Sequence, residues 1–237
     1  MSIASHSCAA GTILLLLGST ACMRQPPVSS GTPVADPAAV AEEVRQASIP
    51  GGPKQTSFAW ELTEQGSRLS GRGVVRYQAP QRLRLDLFGP RGETYLAAGL
   101  VGEEFFVPEE VSGRVPLPSP ALLWGALGVI RPPAGEPLLG VTRGGEGVTL
   151  RYGREGGRTF EFQVDTVSGT PRLRRVDLRA PSGVLESVEL TWADSGALQR
   201  ARYRNWAAFR ELILKMENTT DASPFPESIW TPDRAAR

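Results

Sequence analysis

Few side chains in this sequence can do covalent or acid–base chemistry, and most of them lie near its start. There is one histidine, His6, and there are two cysteines, Cys8 and Cys22. Cys22 follows the small residues Gly18-Ser19-Thr20-Ala21, which follow the apolar run Ile13-Leu14-Leu15-Leu16-Leu17. That run is far short of the roughly 20 apolar residues that span a bilayer. It has the character of the apolar centre of a signal peptide. Small side chains let the extended backbone enter a signal peptidase, and the Cys22 thiol can take a diacylglycerol. Cys8 has no apolar run before it. The remaining candidates are paired acids, Glu103-Glu104 and Glu109-Glu110, which could mimic the two carboxylates of a glycoside hydrolase. Solvated loop charge is the simpler account of them.

The segment Ser19-Thr20-Ala21-Cys22 resembles the lipobox of bacterial lipoproteins. The resemblance implies removal of residues 1–21 and a lipidated Cys22 as the new N-terminus. Ser19 departs from the usual Leu, and the leading residues carry His6 but no Lys or Arg. An ordinary cleaved signal with an incidental cysteine is the competing reading. Met23 stands where Asp would mark retention at the inner membrane. The expected location is therefore the outer membrane, lipid-anchored, with the domain facing the periplasm. Residues 22–35, rich in Pro, Ser and Gly, read as a flexible tether with no helix or sheet.

Processing at Cys22 has a chemical consequence. His6 and Cys8 leave, and Cys22 is consumed by lipid. The mature chain then has no Ser-His-Asp or Cys-His site, no internal disulfide and no His or Cys ligands for zinc. The expectation is a non-enzyme without metal or cofactor. The balance of 26 Lys and Arg against 25 Asp and Glu, net +1, argues against nucleic acid as a partner, because its binding needs a basic stripe. Lys54 and Lys215 are the only lysines, and the arginines are scattered along strand-like segments.

These side chains must sit on a scaffold, and the pattern describes one. Asp36 can cap, and Pro37 can open, a helix reaching Ala47, with Val40, Val44 and Ala47 on one face. Alternation then dominates. It runs through Thr56 to Leu62, Gly71 to Tyr77, Arg82 to Leu87, Thr94 to Leu100 and Glu103 to Val107. It resumes in Val148 to Tyr152, Thr159 to Val164, Leu173 to Leu178, Val184 to Trp192, Leu198 to Tyr203 and Leu212 to Glu217. One wet and one dry face per strand is the mark of an antiparallel sheet, here a meander that curls. The segment Ser119 to Ile130 is apolar nearly all round and reads as a helix capped by Ser119 and stopped by Pro132-Pro133. It belongs inside the curl, as a core helix or a mobile lid. The domain spans 36–220, and a Pro-rich tail follows over 221–237, with Phe225 and Trp230 as anchors.

Three motifs in order resemble the LolA/LolB-like superfamily. They are Gly71-Arg72-Gly73-Val74-Val75, Leu83 through Thr94, and Pro118 through Gly128 with its Trp124. The resemblance implies a mainly β fold, an unclosed antiparallel half-barrel with a helical plug or lid. Its concave apolar face would receive acyl chains of lipids or lipoproteins, and Cys22 favours the LolB-like, membrane-anchored arrangement. The lining expected on that basis is Val75, Tyr77, Leu85, Leu87, Leu96, Phe106, Leu123, Trp124 and Leu127. The membrane-facing turn would carry Phe88 and Arg91, where LolB presents an apolar residue. The alternative function is a structural envelope lipoprotein that serves as an interaction platform for protein partners in a membrane assembly. Replacing Cys22 by Ser is expected to abolish incorporation of a labelled fatty acid and to move the chain from the membrane to the soluble fraction. Labelling that persists in the variant would exclude Cys22 as the acceptor.

Overall fold

The computed structural model describes residues 31–109, 117–145, 147–166 and 169–232. The signal segment and Cys22 therefore lie outside the described residues, as do Glu110 and the last five residues. Among the described residues thirteen strands form one antiparallel sheet. They are β1 (Thr32–Pro33), β2 (Lys54–Glu64), β3 (Ser67–Gln78), β4 (Arg82–Phe88), β5 (Thr94–Val101), β6 (Glu104–Phe106) and β7 (Leu138–Gly144). The others are β8 (Gly147–Gly153), β9 (Thr159–Asp165), β10 (Arg172–Ala180), β11 (Gly183–Trp192), β12 (Leu198–Asn205) and β13 (Arg210–Asp221). Two α-helices accompany them, α1 (Pro37–Ala47) and α2 (Pro120–Gly125).

The order across the sheet is β1-β7-β8-β9-β10-β11-β12-β13-β2-β3-β4-β5-β6. Two meanders are thus joined where β13 returns to pair with β2, and the sheet stays open between β1 and β6. Alternation sets the two faces, as the period of two requires. Phe58, Trp60 and Leu62 of β2 are buried on the concave side, as are Leu83, Leu85 and Leu87 of β4. A single apolar cluster fills the curl and includes α2.

The helix α1 starts as its sequence predicts, with the Asp36 carboxylate accepting from the Ala39 N–H at 3.0 Å. The second helix is shorter than expected. It ends at Gly125, and Gly128 takes φ +80°, a left-handed turn that a continuing helix cannot contain. Two strands were not expected. Leu138–Gly144 pairs with β8, and the end of the proline-rich lead segment adds a strand, Thr32 pairing with Arg143 and Pro33 with Thr142. Proline is tolerated there because β1 is an edge strand. Residues 32 and 33 are therefore part of the sheet and not of a free tether.

The tail after β13 packs on the outer face of β4 and β5. The Arg84 guanidinium donates to the Ile229 carbonyl at 3.3 Å, and Arg82 pairs with Glu227. Trp230 is 1% exposed and meets Phe225 edge-on at 5.6 Å between ring centres. The seat exists because residue 99 is glycine, where a Cβ would lie 1.9 Å from the Trp230 carbonyl oxygen. Among the described residues no helix is long and apolar enough to cross a membrane. Trp230→Ala empties this seat, and the expected loss is about 3–5 kcal/mol of unfolding free energy in urea titration. A loss below about 1 kcal/mol would mean that the tail does not brace the sheet.

Candidate functional site

The concave face and α2 enclose an apolar chamber. The sheet supplies Phe58, Val75, Leu85, Leu87 and Leu96 from one meander, and Val188, Ala201, Tyr203, Leu212 and Leu214 from the other. Leu117, Pro118, Leu122, Leu123, Ala126 and Leu127 close it from the helical side. Every lining side chain except Tyr203 is apolar, and the Tyr203 hydroxyl is spent in a 2.8 Å bond to Glu186. Burial and the adjacent Glu186 push the Tyr203 pKa upward, so the ring stays neutral. The chamber holds about 40 Å³. That is space for roughly three waters at about 10–15 Å³ each, well below the roughly 300–1,000 Å³ of established small-molecule pockets. The helix α2 and its neighbours fill most of the concave space.

The helix lies very close to the sheet. A Cβ on Gly125 would come within 2.8 Å of the Val176 side chain on β10. Trp124 is fully buried, its ring edge-on to Tyr77 at 6.3 Å, and its indole N–H finds no hydrogen-bond acceptor among the described residues. Trp124 and Tyr77 are therefore packed beside the chamber and do not line it. Phe106 is displaced further. It pairs with Gly99, which puts it on the outer face, while Phe105 pairs with Leu100 and packs on the core. A three-residue strand alternates too briefly for its dry side to be read from sequence. Val75, Leu85, Leu87, Leu96, Leu123 and Leu127 do meet around the chamber. The walls from β11 to β13 were missed. Their alternation is visible in the sequence, but their position opposite β2 to β5 follows only from the β2–β13 pairing.

The β4–β5 turn lies at the end of the sheet away from the point where Thr32 joins β7. Arg91 is exposed there, and its N–H donates to the Glu93 carboxylate at 2.9 Å. Phe88 is half-buried and lines an open groove of about 620 Å³ on the outer face, with Ala59, Arg72 and Lys215. The same end carries the large apolar side chains that stand out in solvent among the described residues, Leu69 and Phe209.

The buried carboxylates are a separate matter. Asp177 and Glu161 are cross-strand partners on the outer face, 0% and 3% exposed. Arg175 holds Asp177 at 2.7 Å and also pairs with Glu189. Arg179 lies 3.4 Å from Asp177 and 3.5 Å from Glu161. Neither acid lines any of the cavities described here. Both carboxylates are at most 3% exposed and are held by guanidinium groups, Arg179 serving both. Of the sequence-adjacent pairs, Glu103 is held by Arg131 at 2.8 Å, and Glu104 is exposed on β6. Among the described residues no cluster of three or more His, Cys, Asp or Glu could hold a metal ion.

The open antiparallel half-barrel with an apolar concave face and a short helix against it is similar in fold to known structures. The chain superposes on a LolA superfamily protein from Nitrosomonas europaea with a TM-score of 0.56 at 15% identity, over 82% of this chain and 98% of that one. A putative outer membrane lipoprotein-sorting protein domain from Vibrio parahaemolyticus gives 0.52 at 8% identity, over 85% and 98%. A DUF1329 family protein from Desulfovibrio piger gives 0.51 at 9%, over 83% and 96%. At these identities the likeness is one of fold. No family model matches the sequence, and no curated protein matches it.

The buried Asp177 carboxyl gives a pH test. Desolvation raises its pKa, although Arg175 and Arg179 pull it back. The native state then holds this proton more tightly than the unfolded chain does. The contribution favours folding at low pH and is lost as pH rises through the folded-state value. Asp177→Asn removes that opposing slope. The gain in unfolding free energy between about pH 4 and about pH 7 is expected to be larger in the variant than in wild type. Urea denaturation at both pH values reads it, and an equal or smaller gain would contradict the assignment.

Proposed function

We propose that this chain is a membrane-anchored lipoprotein that binds acyl chains of lipids or lipoproteins between α2 and the concave sheet, without catalysis, for transfer to the outer membrane. One observation carries the reading. The half-barrel keeps an apolar chamber closed on one side by the six-residue helix α2 and its flanking residues and not by a strand. The fold it shares with LolA superfamily proteins supports the same reading. Cys22 would supply the anchor, held close to the domain because the chain is already fixed to β7 at Thr32.

Binding then requires α2 to withdraw. Its apolar side chains leave the concave face as acyl carbons arrive, so buried apolar area is exchanged rather than lost. Each Å² of acyl surface removed from water contributes roughly 25 cal/mol. Release follows when a better apolar site recovers that area. The alternative, a structural envelope lipoprotein offering its surface to protein partners, is favoured by the small chamber volume. It predicts that α2 never moves.

A disulfide separates the two. A Cβ at position 125 would lie 3.6 Å from the Val176 Cβ, within the roughly 3.5–4.5 Å that a disulfide needs. The double variant Gly125→Cys/Val176→Cys, made in a chain beginning at residue 22 with Cys22→Ser, has no other cysteine. Oxidised, it is expected to take up no fluorescent acyl probe; reduced, it should bind as the parent does. Equal uptake in both states would show that α2 is not the gate. No uptake by the parent itself would favour the interaction platform.

A further inference from the structure

The concave face has a second opening that the acyl reading does not use. At the end of the sheet where Thr32 joins β7, a cleft of about 380 Å³ runs between the end of α1, the turn after α2, and the strands β2, β3, β11, β12 and β13. Thr56, Tyr77 and Thr219 bring hydroxyls to its lining, beside Ser48 and Lys54. Thr56 is buried, and its Oγ1 lies 2.9 Å from the Oγ1 of Thr219, which is exposed at the mouth. Tyr77, buried on β3, adds a third hydroxyl to the same lining. The bond between Thr56 and Thr219 uses one of the three hydroxyl protons. Donors and several lone pairs remain for a ligand.

The charge of the cleft is balanced. Lys54, its cation, is paired with Asp221. Burial raises the Tyr77 pKa, so the phenol stays neutral. The Ser48 hydroxyl is already spent, donating to the Arg45 carbonyl and accepting from the Ile130 N–H. The indole of Trp192 forms a fixed wall, its N–H donating to the Leu173 carbonyl at 2.8 Å. Such a site suits an uncharged group rich in hydroxyl and ester oxygens; it has no free cation for a carboxylate or phosphate.

Leu127 borders both this cleft and the apolar chamber. It lies just before Gly128, at the point where the chain turns away from α2. One side chain is therefore common to the cleft with its hydroxyls and to the apolar chamber.

We infer that the cleft is the headgroup site for an acylglycerol, with glycerol and ester oxygens on Tyr77, Thr56 and Thr219 and the acyl chain passing Leu127 into the chamber. The inference rests on the acyl-binding reading and names the class of amphiphile. The test is equilibrium dialysis of radiolabelled monopalmitoylglycerol and palmitate against the chain from residue 22 with Cys22→Ser. The parent is expected to prefer the glycerol ester. The triple variant Thr56→Val/Tyr77→Phe/Thr219→Val should bind the ester about tenfold more weakly, the worth of one to two hydrogen bonds, and palmitate about as well as the parent. Retained palmitate binding also reports that the variant is folded. Should the triple variant not fold, Ala197→Trp, at an exposed position of the cleft, obstructs the site without touching the buried hydroxyls and should give the same selective loss. Parent binding of both ligands without preference, or an equal loss of both in the variants, overturns the headgroup site while leaving acyl binding intact. Parent binding of neither ligand overturns the acyl reading itself.

Discussion

The pairing of β2 with β13 is the constraint on which the rest of the molecule depends. It runs from Arg210 opposite Glu64 to Asp221 opposite Lys54, between segments at nearly opposite ends of the domain. Each meander alone would be a sheet with an uncovered apolar face. Joined here, they curl around a common interior, and Phe58 comes to share a wall with Leu214 and Ala201. A register shift between Met216 and Asn218 occurs within this pairing. Such irregularities bend a strand and strengthen its twist, and this one lies where the sheet turns past the hydroxyl-lined cleft.

The helix α2 is a consequence of that curl. Six residues are too few for a helix to persist in water, and Ala121 through Gly125 are all buried. The sheet stabilises the helix, and the helix covers the sheet. The conformation of α2 has little stability of its own, and whatever replaces its side chains on the concave face removes its reason to stay. Gly125 permits the close approach, and Gly128 turns the chain out again.

The outer face solves a different problem. Alternation that points Leu and Val inward leaves Arg, Asp and Glu outward on neighbouring strands, where opposite charges across the ladder attract. Arg76 and Arg84 share Asp86, Arg202 and Arg204 share Glu211, and Arg175 and Arg179 share Asp177. Pairing of this kind explains why so many arginines produce no basic stripe. It also accounts for the burial of Asp177 and Glu161 in the wall of the half-barrel.

Period-two alternation in the sequence determined which residues of each long strand share a face, because successive side chains must point to opposite sides. The expectation of export rests on the apolar run before Cys22, which lies outside the described residues. The capped helix from Pro37 needed only Asp36 and its own pattern. Other features depended on partners remote in sequence. Phe106 lies outside because Gly99 is opposite it, Pro33 joins a sheet because β7 has a free edge, and the chain after α2 turns at Gly128 close against Trp192. The boundary between void and solid core, with Leu127 on the void and Trp124 in the core, was decided by how closely α2 settles against β10. The hydroxyl cleft gathers Thr56, Tyr77 and Thr219 from three strands. Only the curl of the sheet brings them together, since local sequence acts over a few residues and this site spans more than a hundred and sixty.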